Sequence, residues 1–137
     1  MSKAELIVNH MMQNDAFSQW LGIDVLETRE GFCRLKMVLR EEMTNGFKIA
    51  HGGITYSLAD SALAFASNGR GDHAVSIETN IAHTRPVHIG DELFATATEK
   101  SHTRRFGIYD IEITNGRGEL VALFKGTIYR TGKEWKI

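Results

Sequence analysis

The stretch His51-Gly-Gly-Ile-Thr-Tyr-Ser-Leu-Ala-Asp60-Ser-Ala-Leu-Ala-Phe-Ala-Ser-Asn68 is long, rich in alanine and free of proline, and it reads as a helix from His51 to Asn68. Asn68-Gly69 stops it, because glycine just past the last turn is a common helix end. Ile54, Leu58, Ala59, Ala62, Leu63, Phe65 and Ala66 spread around most of its circumference. A helix apolar on most sides is a buried one. The rest of the chain therefore has to wrap around it.

Outward from that helix the pattern changes. Upstream, Ser2-x-x-Glu5 is a capping box, and Leu6, Ile7, His10, Met11 and Phe17 recur at helical spacing. Residues 3–19 read as one or two short amphipathic helices, an N-terminal helical segment within 1–20. From Leu21 onward a hairpin is expected, with Gly31 at its turn. Glu41 to Ala50 is irregular, with a turn at Asn45-Gly46. Downstream the chain reads as strands over about 73–83, 91–101, 105–114 and 119–130, the last two joined at Asn115-Gly-Arg-Gly118. With no repeat or linker, residues 1–137 form one domain of α+β class. Its simplest architecture is a curved antiparallel sheet wrapped around the middle helix.

Composition narrows the functions. A net charge of -1 argues against a bulk electrostatic grip on nucleic acid or an anionic membrane, so neither is expected as a partner. The single cysteine, Cys33, allows no internal disulfide and no CxxC pair, which fits a reducing compartment, and it reads as packing within a strand. No long apolar run marks a signal peptide or membrane span, so the expected location is the cytoplasm. The six histidines contain no HExxH pair or compact ligand set, so no metal is expected. Gly69-Arg-Gly-Asp-His-Ala74 matches a loose GxGxxA pattern, but it follows a helix instead of opening one, against the dinucleotide reading. Trp20 and Trp135 read as core or interface.

Asp60 is the anomaly in the buried helix. Either it faces a solvated stripe with Ser57, Ser61 and Ala64, or it is held in a cleft for acid–base or nucleophilic work. The helix start is a second anomaly. Its unpaired amides are usually capped by Ser, Thr, Asp or Asn, and Ile49-Ala50-His51-Gly52-Gly53 offers none. Free amides at the positive end of a helix dipole suit a carbonyl oxygen that gains negative charge, although a tight His-Gly-Gly loop needs no such role. Gly53 and Asp60 stand roughly 10 Å apart along one helix. If both act on one carbonyl, they come from different subunits, so a dimer with sites at its interface is expected.

Asn45-Gly-Phe-Lys-Ile-Ala-His51-Gly-Gly-Ile-Thr-Tyr-Ser-Leu-Ala-Asp60 resembles the core motif of hotdog-fold thioesterases of the phenylacetate-degradation (PaaI) type. Val75-Ser76-Ile77-Glu78-Thr79-Asn80-Ile81, Arg85-Pro86 and Gly90-Asp91-Glu92-Leu93 fit as well, so the likeness runs from about Leu21 to Thr131. The resemblance implies a hotdog fold, dimers that pair into tetramers, and hydrolysis of acyl-CoA thioesters, often aromatic ones, with no cofactor beyond the CoA of the substrate. It places the catalytic carboxylate, as nucleophile or as general base, on Asp60. It places the carbonyl-polarising N–H on Gly53, and on Asn45 the polar residue near the attacking water or the carboxylate. His51, Gly52 and Ser76 fall on positions that shape the substrate site. His83 stands where relatives often carry tyrosine. Arg85, Arg104 and Arg105 lie at turns and suit CoA phosphates, or equally form a solvated charge cluster. Thioester chemistry fits a single carboxylate, since thiols have pKa values near about 8.5 and leave without a dedicated acid. A non-catalytic acyl-CoA-binding protein, a hotdog dehydratase or isomerase, and a vestigial dimer are the rivals.

Overall fold

The computed structural model describes residues 1–137. Helices α1 (Lys3–Gln13) and α2 (Ala16–Leu21) open the chain. The hairpin β1 (Asp24–Arg29) and β2 (Phe32–Val38) follows, then α3 (Gly52–Asn68). Strands β3 (Asp72–His83), β4 (Glu92–His102), β5 (Phe106–Asn115) and β6 (Leu120–Glu134) complete it. The Ser2–Glu5 capping box is formed at α1. The turn of the first hairpin uses Gly31 in the left-handed region, as expected of glycine there. Strand β6 runs four residues past the expected end, because Glu134 pairs with Asp72 and the Trp135 amide donates to the Gly71 carbonyl.

All six strands lie in one antiparallel sheet of order β1-β2-β4-β5-β6-β3. Side chains alternate across it. Cys33, Leu35, Met37, Leu93, Ala95, Ala97, Tyr109, Ile111, Ile113, Phe124 and Ile128 point inward and are fully buried. Register shifts at Glu99/Ser101 in β4, at Ile113/Thr114 in β5 and at two places in β3 are bulges that bend the sheet. The sheet thereby closes on α3, whose Leu58, Ala59, Ala62, Leu63, Phe65 and Ala66 are buried against it. This is the hotdog arrangement that the resemblance implies. No helix is long and apolar enough to cross a membrane.

Strand β3 ends the sheet and leaves Val75 and Ile77 more than half exposed, at 53% and 57%. A long apolar edge strand is an aggregation hazard unless something pairs with it. Trp135 stacks on His73 at 4.1 Å and donates from its indole to Asn68, tying the C-terminal segment to the end of α3. Cys33 is packing, as expected, and burial pushes its thiol up to about 12.

Contact between α3 and β6 is closest at Gly126, where an added Cβ would stand 2.5 Å from Leu63 Cδ2. Gly126→Ala is expected to destabilise the fold by about 1–3 kcal/mol through overpacking. That lowers the melting temperature by roughly 3–10 °C in a scanning calorimeter, and an unchanged transition would mean the helix seat is looser than this.

Candidate active site

One face of α3 escapes the sheet. Gly53, Ser57, Asp60 and Ala64 form a stripe that is exposed or half-buried from the helix start to Ala64, at the i, i+4, i+7, i+11 spacing of one helix face. It runs between α2 on one side and β3 on the other. Ser61, expected on that stripe, is instead buried, and its hydroxyl meets that of Ser18 in α2 at 2.8 Å. On the other side the Tyr56 and Thr79 hydroxyls meet, joining α3 to β3.

Asp60 is half-buried and accepts no hydrogen bond within the chain. It lines a cavity of about 240 Å³ with Ser76, Ser67, Ala74 and Ile128. Burial, and then the Asp15 carboxylate, push its carboxyl above the ordinary range. Asp15 caps α2 by accepting from the Ser18 amide at 2.9 Å and the Ser18 hydroxyl at 2.6 Å. Its influence on Asp60 is legible only in three dimensions, although Asp15-x-x-Ser18 is a recognisable cap.

The helix start is not uncapped. His51 is the N-cap of α3, and its Nδ1 accepts from the Gly53 amide at 3.0 Å. That corrects the expectation of a free amide at Gly53: the His51 ring holds it, and a carbonyl oxygen has to displace the ring. The Gly52 amide has no partner within the chain. Gly52 lines the largest cavity, about 410 Å³, with Asn45, Thr55, His83, Arg85 and Val87. Asn45 itself is tied down, its Oδ1 accepting from the amides of Phe47 at 2.9 Å and Ile49 at 3.4 Å. A third cavity of about 370 Å³ lies beside His51 and Gly53 and is walled by Phe17, Trp20, Met43 and Ile54.

Within one chain, then, the expected site residues fall into separate places. Asp60 and Ser76 share one cavity, Asn45, Gly52 and Arg85 a second, and His51 and Gly53 a third. Arg85 also pairs with Glu119 at 3.6 Å. Arg104 and Arg105 stand in the β4–β5 turn, where Arg105 donates to the Arg130 carbonyl at 3.3 Å. Arg130 pairs with Ala74 across β6 and β3, so that turn lies toward the Asp60 cavity and away from Arg85. No three His, Cys, Asp or Glu side chains converge as metal ligands. Residue reading missed Thr55, Phe17 and Trp20 as lining groups. Helical spacing reveals which positions share a face, not which face borders a cavity.

A model of the thioesterase superfamily matches residues 47–122. The chain is 43% identical over 122 residues to acyl-coenzyme A thioesterase PaaI of Escherichia coli (strain K12), covering 89% of this chain and 87% of that protein. The solved structure of E. coli PaaI, a protein from the phenylacetic acid degradation operon, matches with a TM-score of 0.95 at 41% identity, covering 96% of each chain. A mutant of the phenylacetic acid degradation protein PaaI of Thermus thermophilus matches at a TM-score of 0.82 and 39% identity, covering 85% of this chain and 99% of that one.

The raised carboxyl of Asp60 has two measurable consequences. An acid whose folded pKa lies above its unfolded value binds its proton more tightly when folded, so stability is lost as pH rises through that window. Asp60→Asn removes this penalty and is expected to melt at a higher temperature than wild type at neutral pH. Asp15→Asn keeps the cap but removes the neighbouring charge, and is expected to move the acid limb of the pH–rate profile for kcat/KM to lower pH. An unmoved limb would show that Asp15 does not act on Asp60.

Proposed function

The chain belongs to the thioesterase superfamily, and we propose that it hydrolyses acyl-CoA thioesters with small aromatic acyl groups, in a homodimer whose sites combine Asp60 of one subunit with the helix start of the other. The observation that carries this reading is Asp60 itself. A carboxylate without a hydrogen-bond partner sits on an open stripe of an otherwise buried helix, with its proton affinity raised. Such a group is costly to keep, and its raised proton affinity makes it a stronger base than an ordinary carboxylate.

In the proposed reaction Asp60 removes a proton from water while the water oxygen attacks the thioester carbonyl carbon. The carbonyl oxygen takes up negative charge against the Gly53 N–H at the positive end of α3. Collapse breaks the C–S bond, CoA leaves as the thiolate, and the acid product is released. Direct attack by Asp60 is the alternative first step, forming an acyl-enzyme anhydride that water then opens. Asn45, on the loop before α3, is proposed to place the water, and Ser76 to line the approach to Asp60. His51, Gly52, Arg85, Arg104 and Arg105 are assigned to the CoA ester, the arginines to its phosphates.

Two further observations support the finer parts. The exposed Val75 and Ile77 on the unpaired β3 edge suit pairing with a second copy, which would also cover the α3 stripe. The proposal extends to pairs of such dimers forming tetramers. The wall of Phe17, Trp20, Met43 and Ile54 beside Gly53 suits an aromatic acyl group, in keeping with the phenylacetic acid operon of the E. coli relative.

The test is release of free CoA thiol from phenylacetyl, hydroxyphenylacetyl, benzoyl and short aliphatic CoA esters. Wild type is expected to turn over aromatic esters best, and Asp60→Asn to lose at least roughly 100-fold in kcat while still folding. Trp20→Ala is expected to lower kcat/KM for aromatic esters several-fold more than for acetyl-CoA. Binding of these esters with no turnover would favour a non-catalytic acyl-CoA-binding protein, and a fully active monomer would overturn the shared site.

A further inference from the structure

We infer that Thr55 and His83 act together as positioning residues, holding the carbonyl end of the Gly52–Gly53 peptide and so setting the direction of the Gly53 N–H. The inference rests on the proposed role of that N–H in polarising the thioester carbonyl.

The Gly52 C=O and the Gly53 N–H belong to one planar peptide unit, so turning one turns the other. Thr55 Oγ1 donates to the Gly52 carbonyl at 3.2 Å and meets His83 Nε2 at 2.7 Å. A hydroxyl has a single proton. With that proton on Gly52 O, the ring must supply the other one, so His83 Nε2–H donates to Thr55 Oγ1. The order is imidazole N–H to hydroxyl to carbonyl, and each bond polarises the next. A peptide whose oxygen accepts such a bond is a stronger donor at its nitrogen.

A threonine bonding back to a carbonyl three residues earlier is common in helices and means little alone. His83 makes the difference. It comes from another element, at the end of β3, where its backbone is paired with Ala122 of β6. The chain of bonds therefore ties the start of α3 to the sheet. Thr55 is only 2% exposed, so its hydroxyl depends on these two partners. Gly52 leaves room for the approach, since a Cβ there would already touch His83 Cε1 at 3.4 Å.

The other end of the same peptide is held by His51 Nδ1. The two histidines thus grip one peptide unit from opposite ends, with unequal consequences. A thioester carbonyl replaces the His51 ring on the N–H, whereas the Thr55–His83 bonds stay on the carbonyl throughout the reaction. His51 keeps the amide satisfied in the empty site, and Thr55 with His83 keeps it aimed in the occupied one.

The experiment compares Thr55→Val, Thr55→Ser, His83→Phe and His83→Gln in the full chain. It measures kcat and KM on the ester that wild type hydrolyses best, and the Gly53 amide resonance in an ¹⁵N–¹H spectrum. Thr55→Val and His83→Phe are expected to lower kcat roughly tenfold with KM within about twofold, since a misaimed oxyanion donor costs transition-state stabilisation and not binding. The Thr55→Val/His83→Phe double variant should be no slower than the worse single variant, as for two members of one unit. Thr55→Ser and His83→Gln, which keep a hydroxyl and an N–H donor, should recover most of the rate. Both damaging variants should shift the Gly53 resonance. Unchanged kcat in Thr55→Val and His83→Phe overturns the inference, and if wild type is active while Asp60→Asn is not, the thioesterase reading still stands. An unmoved Gly53 resonance in His83→Phe overturns it as well, whether or not any ester is hydrolysed.

Discussion

Burial of α3 inside the sheet is the constraint on which the molecule depends. The sheet is bent by bulges so that β2, β4, β5 and β6 all reach the helix, and the inward residues of those strands are fully buried. The seat is tight enough that a Cβ at Gly126 would press on Leu63. A six-stranded sheet with two open edges cannot surround a helix completely. The gap falls between α2 and the β3 edge, and the stripe that carries Asp60 lies in that gap. The fold thus produces the site by leaving one face of a core helix unburied.

The electrostatics of that stripe stand out against the other buried charges. Glu99 is also half-buried, yet Arg70 donates to it at 2.6 and 3.2 Å and the Tyr109 hydroxyl at 2.6 Å. Burial raises its carboxyl, and those hydrogen bonds with the Arg70 and His102 charges outweigh burial, holding it below the usual range. Burial and the neighbouring Glu99 push the Tyr109 hydroxyl the other way. Arg130 joins the same cluster by donating to the Thr103 and Phe106 carbonyls, both at 2.9 Å. That network satisfies the Glu99 carboxylate, leaves Arg130 Nε without a partner, and braces the ends of β4, β5 and β6. Asp60 has no such partners and a like charge nearby. A charge left unsatisfied in a well-packed chain marks a candidate site for chemistry.

The helix start shows the complementary economy. A helix N-terminus with two glycines has weak local preference for one geometry. Side chains from outside the helix's own ladder impose it, His51 from the cap and His83 from the sheet. The peptide proposed to stabilise developing negative charge is held at both ends before substrate arrives, so only the His51 ring has to move aside. Asp60 stands apart from this peptide along a single helix, and in the proposed dimer a second copy supplies the other half. The apolar β3 edge is the surface proposed for that pairing.

The elements themselves were legible in the residues. The alanine-rich run without proline reads as a buried helix, alternation reads as strands, and Gly31 and Asn115–Gly118 read as turns, because these signals are local and rest on backbone sterics and side-chain period. Asp60 was legible for the same reason, as a charge in an apolar helix, and the family motif around it was legible as a pattern. What the residues could not disclose were relations between distant segments: that Ser61 turns toward Ser18, that Asp15 raises Asp60, that His51 caps the helix whose start looked bare, and that Thr55 meets His83. Each depends on a rotamer and an approach of a few ångströms between elements far apart in the chain. Only the packed structure sets those distances, because hydrogen bonds and charge interactions fall away over lengths that sequence separation does not measure.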